Sequence, residues 1–214
     1  MRSWSARAGS VLFIFLLAAA VTLLPADSEA SVTIENKHLQ VTFNSQEESF
    51  TVHSKRAGKT FVEGASAGKG PTMVQVVEVQ REPLGKGSAI KVSHKHGNRD
   101  WLMLFPGLPF VVCQSDVHHT GNRVYKSVRR LSLPLNMDAS PDELKAYGTA
   151  GLKRHGTARL KHPDAHDGSY TYLGIVDPTD RSGIVTGWLT HERGDGVMFS
   201  KVSDGRVVVE GQID

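Results

Sequence analysis

From Val32 onward apolar and polar residues alternate with a period of two, as in Val32-Thr33-Ile34-Glu35, Leu39-Gln40-Val41-Thr42-Phe43 and Phe50-Thr51-Val52-His53. That period puts one set of side chains on a core and the other in water, which an extended strand achieves and a helix does not. Runs rich in Val, Ile, Tyr and Phe follow at 73–80, 89–95, 110–118, 124–135, 170–176, 184–190, 197–202 and 207–213. Turn signals separate them, among them Gly68-Lys69-Gly70-Pro71, Gly97-Asn98, the stretch from Asp177 to Gly183, and Ser203-Asp204-Gly205, which has the composition of a tight hairpin. The 21 glycines and 9 prolines suffice to punctuate many short segments and are too few for a low-complexity chain. The pattern predicts an all-β fold, an antiparallel two-sheet β-sandwich. One segment departs from it. Ser140-Pro141-Asp142-Glu143 carries a cap, a proline at the first helical position and a glutamate able to close a capping box, so one short helix is expected near residues 141–147, stopped by Gly148.

The first thirty residues read differently. Arg2 and Arg7 precede the 14-residue apolar run Val11–Leu24, and Ser28-Glu29-Ala30 places small residues where a signal peptidase needs them. Residues 1–30 are therefore expected to be a signal peptide cleaved after Ala30, leaving a β-sandwich domain over 31–214 that is secreted or periplasmic. The run falls short of the roughly 20 residues a spanning helix requires, so no membrane association is expected after cleavage. A lone Cys113 excludes a disulfide framework, and its neighbours Val111, Val112 and Gln114 suggest a small buried hydrophobe. The chain ends inside the strand-like run Val207–Asp214. Two readings stand: a terminal strand docked in a sheet, or a first domain whose successor is missing, which would leave an apolar patch near Val207, Val209 and Ile213.

Motifs for chemistry are sparse. His94-x-His96, His118-His119 and the group His155, His162 and His166 lack partners at zinc-motif spacing, and no HExxH is present, so no metal and no cofactor are expected. There is no GxSxG elbow and no phosphate loop. The acidic residues are explained by capping and turns, and no catalytic residue is assigned. The cations Arg123, Lys126, Arg129 and Arg130 read as the solvated face of a strand, and a net charge of only +3 argues against nucleic acid as a partner. Aromatic rings stack on apolar sugar faces. Trp101, after the turn His96-Gly97-Asn98-Arg99, and Trp188 with His191 are thus candidate carbohydrate-binding residues, the alternative being that either indole belongs to the core.

Three stretches carry a family likeness: Leu144 to Leu152, Gly168 to Pro178, and Arg181 to Gly194 continued by Val197 to Val202. They resemble the N-terminal β-sandwich region of secreted bacterial alpha-galactosidase (melibiase-like) glycoside hydrolases. In that family a catalytic (β/α)8 barrel follows the sandwich and supplies the nucleophile and acid/base carboxylates of a retaining mechanism. The resemblance implies a non-catalytic domain that supports the barrel and the rim of its sugar site, inactive alone, with a galactoside or other carbohydrate and the missing catalytic barrel domain as partners. The alternative is a stand-alone carbohydrate-binding or cell-envelope interaction module.

Overall fold

The structure, a computed structural model, describes residues 31–66, 68–118, 128–149, 162–164, 168–190 and 194–213. The expected signal peptide lies outside them. Fourteen strands form three antiparallel sheets among these residues. The N-terminal sheet is a meander of β1 (Ser31–Glu35), β2 (Leu39–Asn44), β3 (Ser49–Ser54) and β4 (Lys59–Ala65). The middle sheet is a second meander of β5 (Pro71–Arg81), β6 (Gly85–His94), β7 (Arg99–Leu104) and β8 (Val112–Asp116). The C-terminal sheet contains β9 (Val128–Pro134), β10 (Lys145–Thr149), β11 (Ser169–Asp177), β12 (Ser182–Gly187), β13 (Gly196–Ser203) and β14 (Arg206–Ile213). Its order is β10-β11-β13-β14-β9, with β12 paired to β11.

The all-β antiparallel class stands, with three sheets where two were expected. The extra sheet arises because the N-terminal and C-terminal sheets meet edge to edge through only two bridges, Val62 with Leu135 and Ser66 with Ser132. The latter pair exchanges N–H···O bonds of 3.0 and 3.1 Å. All three sheets share one core. Val41, Phe43 and Phe50 enter it from the first, Ile90 and Leu102 from the second, and Ile175 and Val209 from the third. Asp204 (φ 51) and Gly205 (φ 72) turn β13 into β14 with both central residues in the left-handed region, the two-residue hairpin that Asp-Gly favours.

The expected helix does not form. The glutamate half of its capping box does: Ser140 N and Oγ both lie 2.9 Å from Glu143 Oε2, while Glu143 N donates to the backbone O of Ser140 at 3.0 Å. The backbone N–H and then the hydroxyl of Ser140 hold the exposed Glu143 carboxyl below its usual range. Residues 141–143 complete a turn and the chain then becomes β10, paired to β11 from Lys145 opposite Val176. Leu144 and Ala146 are buried at a spacing of two, and this pairing and burial outweigh a local signal worth only about 1 kcal/mol. Gly148 is not a helix stop. A Cβ there would collide with the Ser169 hydroxyl and approach Tyr172 O to 2.9 Å, so the position needs glycine for closeness between strands.

Two further expectations change. Val207 and Val209 are buried at 2% and 1%, because β14 is an interior strand paired to β13 and β9 and leaves no open edge there. Cys113 is exposed on β8, the edge of the middle sheet, opposite Leu102. Desolvation and then the Asp100 charge raise its pKa, so the thiol is protonated at neutral pH.

Candidate functional site

A buried aspartate of the middle sheet gathers polar partners at one end of it. His94 closes β6, Asp100 sits near the start of β7, and Ser115 faces Asp100 from β8. The reversal through Lys95–Gly97, where His96 (φ 63) and Gly97 (φ 81) both take left-handed conformations, returns the chain so that residues six apart in sequence become neighbours. His94 Nε2 lies 2.6 Å from Asp100 Oδ2, Ser115 donates to Asp100 Oδ1, and the His94 and Asp100 side chains are only 7% and 1% exposed.

The second ring nitrogen is also committed. His94 Nδ1 lies 3.1 Å from Lys69 O, and since a carbonyl oxygen only accepts, Nδ1 carries the hydrogen. The neighbouring Gly70 N–H donates to Glu48 Oε2 at 2.9 Å. Together these bonds fasten the link between β4 and β5 to both adjoining sheets. His94, Asp100, Glu48, Gly68 and Phe43 line a recess of about 10 Å³ there, room for a single water. With both imidazole nitrogens engaged, His94 acts as a clasp for this loop and has no lone pair free for general-base work.

The opposite, outer face of the middle sheet carries a different set. Register places Gln75, Lys91, Trp101 and Gln114 side by side across all four strands. Trp101 packs against a second, smaller core of Val79, Ala89, Met103 and Phe105. Its Nε1–H donates to Asp116 Oδ2 at 3.0 Å, and Gln114 Nε2 donates to the other oxygen at 2.8 Å. Lys91 Nζ lies 5.3 Å and Arg81 Cζ 5.8 Å from the Trp101 ring, within cation–π range.

The other expected site residues lie elsewhere. Trp188 follows β12, donates its N–H to Thr171 O at 2.8 Å, and packs against the main core. Its indole covers two glycines: a Cβ on Gly196 would fall inside the ring, and one on Gly211 would stand 3.4 Å from Cζ2. Its Nε1 is buried with no hydrogen-bond partner among the described residues. Trp101 lies in the middle sheet and Trp188 beside the C-terminal one, and His191 lies outside the described residues. His96 leaves the strand that holds His94, and no cluster of three or more potential metal ligands occurs among the described residues. His162 meets Asp142 at 3.2 Å, while His119, His155 and His166 lie outside the described residues. No helix of the described residues is long and apolar enough to cross a membrane.

Sequence reading missed the clasp and the cations beside Trp101. Nothing in the sequence marks them, because both depend on strand register. No family model and no curated protein matches the chain.

Proposed function

We propose that this chain is an exported, non-catalytic β-sandwich module that recognises carbohydrate through the outer face of its middle sheet. The row Gln75, Lys91, Trp101 and Gln114 is the observation that supports this reading. It sets an aromatic ring among amide, carboxylate and cationic groups on a flat surface, the mixture that an oligosaccharide with hydroxyls and apolar ring faces requires. Calorimetric titration of the chain with galactosides, including raffinose-type oligosaccharides, alongside a chromogenic alpha-galactoside assay, tests it. Binding without turnover is expected, and Gln114→Ala is expected to weaken it by about tenfold, the loss of one good hydrogen bond. Release of galactose would overturn the non-catalytic reading.

A second reading follows from the likeness to the alpha-galactosidase-like hydrolases: a domain that packs against a catalytic barrel and supports the rim of its sugar site. Val185 on β12 and Leu189 just beyond it, 63% and 67% exposed, favour it as apolar surface available to a neighbouring domain. Val185→Asp with Leu189→Asp is expected to abolish co-purification with a separately expressed barrel of that family. Unchanged co-purification would remove those residues from the interface.

A further inference from the structure

We infer that the outer face of the middle sheet takes an acidic saccharide, one that carries carboxylate groups along its chain. This rests on the carbohydrate reading above and adds the charge of the ligand. Lys91 is the direct cross-strand partner of Trp101, and Arg81 reaches the same ring from the end of β5. Elsewhere in the fold four cations sit in ion pairs, Lys55 with Glu35, Lys59 with Asp138, Lys201 with Glu210 and Arg206 with Glu63. Lys91 and Arg81 have no carboxylate partner among the described residues. Asp116, opposite Arg99 in register, accepts the Trp101 and Gln114 N–H groups. Arg99, exposed and opposite Asp116, adds a third cation to this face.

Two unpaired cations on one indole are arranged for an anion. The ring restrains the long side chains before a ligand arrives, which lowers the entropy lost on binding, and each head group keeps donors for a charge-assisted bond to a carboxylate. A nucleic acid fits less well. Its phosphates call for a denser basic stripe than a net charge of +3 supplies.

The test is titration of the full chain with three probes: an oligogalacturonate, a neutral galacto-oligosaccharide of equal length, and oligothymidylate, each at low and high salt. The oligogalacturonate is expected to bind at least about tenfold more tightly than the neutral oligomer and to weaken as salt rises. Lys91→Gln and Arg81→Gln are each expected to raise its Kd by about tenfold with the circular dichroism unchanged, whereas Lys37→Gln, at an exposed position off this face, leaves it unaltered. Equal or tighter binding of the neutral oligomer would overturn the acidic class and leave the carbohydrate reading standing. Failure of both saccharides to bind would overturn both. Oligothymidylate bound as tightly as the uronate would replace the saccharide with a general polyanion.

Discussion

Replacing His94 by alanine is expected to destabilise the fold by about 3–5 kcal/mol, the usual result of removing one member of a buried ion pair or its proton-sharing equivalent. Asp100 is 1% exposed and would lose the imidazole at its Oδ2, while Lys69 O would lose its donor. The loop between β4 and β5 would be released from the middle sheet at the same stroke. Urea unfolding of His94→Ala measures the loss. The loss comes from leaving a polar partner stranded in the core, so removing the whole cluster costs less: His94→Leu with Asp100→Leu and Ser115→Ala should recover much of the stability. A His94→Ala variant within 1 kcal/mol of the parent would show that the clasp is not closed in solution.

Phe105→Ala is expected to cost about 3–5 kcal/mol, as for a buried aromatic whose cavity cannot collapse. Phe105 is 1% exposed and anchors the smaller core on the outer side of the middle sheet. Its ring lies over Gly87, where a Cβ would stand 2.8 Å from Cδ1 and 2.5 Å from Leu104 O. The backbone around it is clamped, since Asn36 Nδ2 donates to Phe105 O at 2.8 Å and to Leu108 O at 2.9 Å. The surroundings therefore have little freedom to fill the void. Because Trp101 packs against this same cluster, the substitution should also shift the near-ultraviolet circular dichroism. Equilibrium unfolding checks the first effect. A loss below 1 kcal/mol would mean that the second core does not hold the outer face in place.

The legible part of the fold was the part written in alternation. β1, β2 and β3 follow period-two runs, β13 and β14 fall on continuous apolar runs, and Asp204-Gly205 announces the hairpin between the last two. β7 escaped notice for a physical reason. Leu102 and Leu104 face the main core while Met103 and Phe105 face the smaller one, so a strand buried on both sides reads as a continuous apolar run instead of an alternation. β4 and β10 were missed because glycine and lysine dilute their pattern, and β10 also because a capping-box sequence preceded it.

For the candidate site, the sequence showed Trp101 as an aromatic beside a turn and showed nothing of its companions. Lys91 and Gln114 are ten and thirteen positions from Trp101 along the chain, and only strand register makes them neighbours. The same holds for Asp100 with Ser115, joined across β7 and β8. Side-chain period and turn chemistry are local, so the all-β class and the Asp-Gly hairpin belong to the sequence alone. Pairing partners, the division into three sheets, and the choice of strand over helix after Ser140 were decided by tertiary structure, because burial and cross-strand hydrogen bonds between distant residues outweigh local preferences of about 1 kcal/mol.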